Sequence, residues 1–533
     1  MIKSIAYKEF FNNLVSTRFI IGFVLCIVLI PLSLFVSIND YESKQKAYTV
    51  QKKKAEKEFV VRVYSDLRPK IAIPPEAMSI FSRGINYNIG NRIEIWLQEK
   101  PLLPIGKIQV HDNELLTRFF SIDFISVIAI ILSLLSILFT YDLCTREKEE
   151  GTFKLMFSNS IGRSNILLGK LLGTFMTLLP ILIFSFILSI IVVLLSTNIS
   201  YSGDEWIRIG LLFLMCIFYV IFFMLLGLLI STRSKSSVRS VILSISIWFI
   251  LVFVVPNVAI YSALSFVEVD DQENVLEATN ELNREYDKEY WDYWEKTETP
   301  GLWFSHWNHN GGRDGYREVA GTANTTFEFY RKMNTHCEPL RVDYSEKKWP
   351  IQKAYLDQLY KQRKLAEMLS LFSPSEVLRL AGATLCKTNT DAYFNLYDQI
   401  LRYREEFIRF YTDNKIFESF EYFTRVPPEK FMTVDEMVRM GTEGRLNNLS
   451  ELEEWGRNRV DRGSVWTGEF PDYYCRNSYY APLDVSDVPR FTPAPAKVTD
   501  DFIQAIIKMG AIILASIVLF YLAHMSFIRY DVR

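Results

Sequence analysis

The chain has 533 residues, with 59 Lys and Arg against 61 Asp and Glu, so it lacks the basic excess that a nucleic-acid-binding protein needs. Its mean hydropathy is positive, +0.09, although 23% of its residues are charged, so apolar and charged residues must occupy separate stretches. Six cysteines without metal-type spacing exclude a disulfide scaffold and a zinc-ribbon fold.

Residues 1–18 place Ile2, Ile5, Ala6, Phe10, Leu14 and Val15 near one helical face and Lys3, Lys8, Asn12 and Asn13 elsewhere, the pattern of an interfacial amphipathic helix. A first apolar span follows at 19–37. Pro31, Phe35 and Val36 make a poor cleavage site, so this span reads as an uncleaved anchor. A polar segment occupies 38–118 and opens with Lys44, Lys46, Lys52, Lys53, Lys54 and Lys57. Further spans lie at 119–141, 171–195, 209–229, 241–264 and 502–522. Each is long enough to cross a hydrocarbon core of about 30 Å, and within hydrocarbon each must be helical. They are separated by a loop at 142–170, a basic loop at 230–240 and a large segment at 265–501, and a tail at 523–533 closes the chain.

The large segment holds seven of the ten tryptophans, between Trp291 and Trp466, which is enough aromatic mass for a folded domain. Helices are expected at Glu273–Lys296, Tyr344–Leu371 and Asp391–Tyr411, with irregular chain at Phe470–Pro495. Lysine and arginine gather at the N-terminus, in 142–170, in 230–240 and in the tail. That bias puts both termini in the cytoplasm and both large segments on the other side.

Chemistry-bearing patterns are few. G-x-x-x-x-G-K-[ST], H-E-x-x-H and G-x-S-x-G are all absent, so no cofactor and no catalytic set are expected in this chain. His306, His309, His336 and Cys337 have spacing too loose to specify a metal. Asp123, Asp142, Lys508 and His524 lie near span ends. Asp123 is retained as a possible transport-path residue, because charge near hydrocarbon is costly and often functional.

The most informative stretch runs from Thr140 to Gly173, T-Y-D-L-C-T-R-E-K-E-E-G-T-F-K-L-M-F-S-N-S-I-G-R-S-N-I-L-L-G-K-L-L-G. Gly151 permits a sharp exit from a helix and Thr152 can cap the next one. Leu155, Met156 and Phe157 would be exposed apolar side chains unless a partner covers them. Gly169 and Gly173, at i and i+4, allow a neighbouring helix to approach closely. The stretch resembles the cytoplasmic loop of ABC-2 type permeases. Glu147, Glu149 and Glu150 stand for the acidic group before Gly151-Thr152, Arg163 for the basic step, and Gly169-Lys170 for the opening of the next span. Asn159-Ser160-Ile161 departs from the family's proline there.

Two further stretches are similar to that family. One is Leu229–Pro256, with Trp248 and Pro256. The other is L-F-S-P-S-E-V-L-R-L-A-G-A-T-L-C at Leu371–Cys386, followed by Tyr393-Phe394, as in the subgroup with a large insertion before the last span. The resemblance implies an all-α polytopic membrane protein with six transmembrane helices and a mostly helical extracytoplasmic domain. It implies an export permease in a bacterial inner membrane, paired with a second copy or a sibling permease. A separate cytosolic ABC ATPase would bind ATP and magnesium and would touch a coupling helix in the 142–170 loop. Two other functions compatible with the sequence are a mechanical transmitter acting on a periplasmic partner, and a membrane-anchored receptor or scaffold.

Overall fold

The computed structural model describes residues 2–84, 92–101, 123–152, 162–196, 199, 201–297, 324–458, 477–494 and 498–529. The chain opens with α1 (Ile2–Leu14), breaks at Val15–Ser16, and continues as α2 (Thr17–Glu58), whose first turn is capped by Ser16 Oγ accepting the Phe19 N–H. Next come a small antiparallel ribbon of β1 (Lys70–Ala72) and β2 (Arg92–Glu94), with Ile71 opposite Ile93, and then α3 (Phe124–Thr140) and the short α4 (Thr145–Glu149). Two long helices follow, α5 (Arg163–Leu195) and α6 (Gly203–Arg233). The next span is built of α7 (Ser237–Phe249), one π-helical turn (Ile250–Val254) and α8 (Val255–Phe266).

The later part of the chain holds α9 (Gln272–Lys296), α10 (Asn324–Ser370), α11 (Pro374–Leu385), α12 (Thr390–Asp413), α13 (Val434–Gly441), α14 (Leu449–Arg457) and α15 (Val498–Ile528). Among the described residues six helical stretches are long and apolar enough to cross a membrane: Thr17–Glu58, Phe124–Glu149, Arg163–Leu195, Gly203–Arg233, Ser237–Phe266 and Asp500–Ile528. The protein is an all-α polytopic membrane protein, with the two-stranded ribbon as a minor addition.

Two elements depart from the sequence reading. The first span does not end at residue 37. Its helix continues through the lysine-rich stretch to Glu58, because Gln, Lys, Ala and Glu are good helix formers. The i,i+4 pairs Lys44–Asp40 and Lys54–Glu58 add to it. The second departure is α11, expected within the 265–501 outer segment and found inside the bundle. Its Val377, Leu378, Ala381 and Leu385 share one buried core with Phe124, Ile128, Tyr219 and Met509 of the spans. Gly382 explains the depth: a Cβ there would lie 2.1 Å from Ile125 Cδ1. At twelve residues, or about 18 Å, α11 is too short to cross a bilayer, so length alone gave no hint of its place.

Outside the bundle the two polar segments form one body. Val61, Leu67, Ile71, Ile93 and Ile95 pack on Ile400, Tyr403, Phe407 and Tyr411 of α12. Arg404, fully buried, donates to the Trp96 and Leu97 carbonyls and pairs with Glu346 of α10. The expected helix at 344–371 is the second half of α10, which continues through Pro339 and Pro350.

Candidate coupling site

At one end of the bundle α1, α4, the α6–α7 connection and the end of α15 come together. The chain leaves α3 at Thr140 and re-forms a helix at Thr145, so three consecutive residues of α4 project in three directions, each about 100° from the last.

Glu147 points toward α5. Its carboxylate lies 2.7 Å from Lys170 Nζ, which also contacts Glu9 of α1 at 2.9 Å and donates to the Leu143 carbonyl at 3.0 Å. Lys170 is 2% exposed, so its charge is held by these partners rather than by water. Lys148 turns the other way and donates to the carbonyls of Ser231, Thr232 and Ser234 at 3.3, 2.7 and 3.0 Å. These carbonyls lie at the C-terminal end of α6 and its cap, where main-chain acceptors have no intrahelical donor and a cation also suits the helix dipole. Glu149 faces α7 and accepts the Ser237 N–H at 2.8 Å and the Ser237 hydroxyl at 2.7 Å, at a helix N-terminus that favours negative charge. Thr145 and Cys144 complete the contact by donating their N–H groups to Ser231 Oγ.

The glycines predicted to admit a neighbour do so, and the neighbour is α1. A Cβ on Gly169 would sit 2.8 Å from Ile5 Cβ, and one on Gly173 would sit 2.5 Å from the Ala6 carbonyl oxygen. Gly151 leaves α4 with φ +70°, a conformation that suits glycine, and Thr152 donates its hydroxyl to the Glu147 carbonyl at 3.4 Å. Arg163 donates to the Ile528 carbonyl at 2.5 Å and so ties the start of α5 to the end of α15. Leu155, Met156 and Phe157 lie outside the described residues.

The other singled-out residues have structural partners. Asp142 pairs with Arg18 at 2.9 Å, and Arg18 also donates to the Tyr141 hydroxyl at 2.7 Å. Asp123 caps α3 by accepting the Ser126 N–H at 2.8 Å and also accepts the Arg83 N–H at 3.2 Å. Lys508 donates to the Thr384 hydroxyl of α11 at 2.7 Å, and His524 meets Ser164 Oγ at 2.9 Å. Trp248 donates to Ser133 Oγ across two spans. His336 stacks on Tyr293, with ring centroids 3.8 Å apart. His306 and His309 lie outside the described residues, and among those described no three His, Cys, Asp or Glu side chains converge on a metal-sized site.

Sequence reasoning did not find Glu9, the α6-capping role of Lys148, or Arg208. The signal for Glu9 was its place on α1, four and three residues beyond the apolar Ile5 and Ala6 that meet the glycines.

A family described as ABC-2 family transporter protein matches residues 3–414, from α1 through α12. The chain belongs to the ABC-2 transporter family. No curated protein matches it. In this ABC-2 membrane protein the matched region contains five of the six spans, the whole α4 cluster and the buried α11.

Proposed function

We propose that this ABC-2 protein is the membrane-spanning permease of an exporter driven by a separate cytosolic ATPase. The observation that carries the reading is α4. Glu147, Lys148 and Glu149 attach one five-residue helix to α5 and α1, to the end of α6 and to the start of α7. A force applied to this helix is delivered at once to three spans and the amphipathic α1, which is what a coupling element must do. The adjacent sequence Leu155-Met156-Phe157 has the apolar character that a contact with the ATPase would use.

On this reading the α1 end of the bundle and both termini face the cytoplasm of a bacterial inner membrane, and the body built on α12 is extracytoplasmic. ATP and magnesium are bound by the partner, and this chain alone hydrolyses nothing. Two permease copies, or this chain and a sibling, enclose the cargo path. Their contact surfaces come from the spans left most exposed here, α2, α7–α8 and α15. The uninterrupted run of α2 into the outer body favours a second reading, in which ATP-driven motion is delivered to a periplasmic partner without cargo.

The test is co-purification of the tagged chain in mild detergent, with mass spectrometry of what accompanies it. The expected result is a P-loop ATPase that accompanies the wild type and is lost from Glu149→Lys/Met156→Asp. Absence of any ATPase under all conditions would sink the permease reading.

A further inference from the structure

The Ser373-Pro374-Ser375 sequence that opens α11 lies against the π-helical turn between α7 and α8. Ser373 Oγ donates to the Leu251 carbonyl at 2.6 Å, Ser375 Oγ is 3.5 Å from the Val252 carbonyl, and the two hydroxyls are 2.8 Å apart. Pro256, which has no N–H, leaves one of these two carbonyls without a main-chain donor, and the register of the turn decides which. In the π turn each carbonyl bonds the N–H five residues on, as Ile250 O does with Val255 N–H. Leu251 O would therefore need the N–H of residue 256, which proline lacks. In an ordinary α-helical turn each carbonyl bonds the N–H four residues on, and the carbonyl then left over is Val252 O. One proline thus creates one orphan in either register, and a different carbonyl is the orphan in each.

An unpaired carbonyl in an apolar span has no water to substitute for the missing donor. The observed distances follow the register: in the π turn seen here, the Leu251 carbonyl is held closely and the Val252 carbonyl only at the limit of a bond. π turns inside α-helices frequently mark functional sites.

We propose that this span is a two-register hinge, π or α, and that α11 senses the register by passing the hydrogen bond from Ser373–Leu251 to Ser375–Val252. Changing register adds or removes one residue from the turn. It rotates α8 by about 100° relative to α7. The span is held at one end by Glu149 of α4, through Ser237, and at the hinge by α11. The exchange therefore joins the α4 cluster to the helix buried between the spans. α11 is anchored in turn by Arg208, which donates to the Leu385 carbonyl at 2.8 Å, and by Lys508 at Thr384. The inference concerns this chain alone and does not rest on the ATPase reading.

Hydrogen–deuterium exchange on the full chain in lipid nanodiscs tests it, read over amides 255–262. Ser373→Ala/Ser375→Ala is expected to raise exchange there roughly tenfold or more. Adding Pro256→Ala restores a main-chain donor and is expected to return exchange to within about twofold of wild type, a rescue that general loosening of α11 would not give. Should the double serine variant fail to fold, Pro256→Ala is compared with the triple variant, and the two are expected to match. No rise in the double variant, or no rescue by Pro256→Ala, overturns the orphan-carbonyl account. For the register exchange, Ser375→Ala alone is expected to be silent. Ser373→Ala is expected to turn a spin label at the exposed Val258 and change its oxygen accessibility. An unchanged label, or equal effects of the two single variants, overturns the two-register hinge.

Discussion

At the α1 end of the bundle, Lys170 is almost inaccessible and contacts Glu9, Glu147 and the Leu143 carbonyl. At the far end Arg208 is wholly inaccessible and contacts Asp204, Asp501 and the Leu385 carbonyl. Both sites use one buried cation, two carboxylates and one main-chain oxygen to join three elements. They differ in what surrounds the carboxylates. Glu9 and Glu147 are well covered, as is Asp501 of the second site, whereas Asp204 keeps 29% of its side chain in solvent. Arg208 also has the Phe502 ring beside its guanidinium at 5.0 Å. A cation removed from the first site strands two covered anions, whereas one removed from the second strands Asp501 and leaves Asp204 partly open to water. The first site should therefore be rigid, and the second is better suited to opening.

The most severe test of that contrast is Lys170→Met, which is expected to destabilise the protein by on the order of 3–5 kcal/mol, the range for breaking a buried ion pair. Arg208→Met should cost less, about 2–3 kcal/mol, because one of its two carboxylates, Asp204, rehydrates. Both are read from thermal unfolding in one detergent, and an equal loss would erase the distinction drawn here. Gly173→Val addresses the packing beside Lys170. With a Cβ 2.5 Å from the Ala6 carbonyl, α1 must leave α5, at an expected 1–3 kcal/mol or about that range. The measurement is protease sensitivity of the first fourteen residues, and a protected α1 would contradict the docking.

A gentler contrast comes from the outer body, where burial pushes the Glu338 carboxyl above its ordinary value of 4.5, against the opposing pull of Arg341. A carboxyl raised in the folded state binds more protons there than in the unfolded chain. Its contribution to stability is complete below about 4.5 and is lost as pH rises through the folded value. Glu338→Gln should flatten that dependence, as followed by tryptophan fluorescence during melting at several pH values. An unchanged slope would place the titration elsewhere. The smallest effect is expected at Arg146, whose pair with Glu150 is more than half exposed. Arg146→Ala should change stability by no more than about 0.5 kcal/mol. A larger loss would mean that the outward face of α4 is already covered by something.

The contrast between the two cations also shows which parts of the molecule were legible in the sequence. Glu147, Gly151, Gly169 and Lys170 stand within one short stretch whose spacing is physically constrained, and the structure brings most of them into one cluster. The six spans follow from runs of apolar residues, because hydrocarbon imposes helix on them. Arg208 could not be found that way. Its partners lie 4, 177 and 293 residues away, and Asp204 beside it reads as an ordinary loop charge. α11 was hidden for a related reason: its alternation of small and apolar residues suits a buried helix of any domain, and only tertiary contact with Ile125 and Leu212 places it among the spans. The continuation of α2 past residue 37 was masked by its lysines, which signal the end of hydrocarbon and say nothing about the end of a helix.

That continuation makes α2 a lever. Forty-two residues of unbroken helix extend about 60 Å, from the Ser16 break beside α1 to Glu58, which grips Lys70 of the outer ribbon at 2.7 Å. Each degree of tilt about the Ser16 end, beside the α1 that packs on Gly169 and Gly173 of α5, sweeps the far tip by about 1 Å. A displacement too small to break a single contact at the Lys170 cluster becomes, at the ribbon, a stroke comparable to the width of an atom or more.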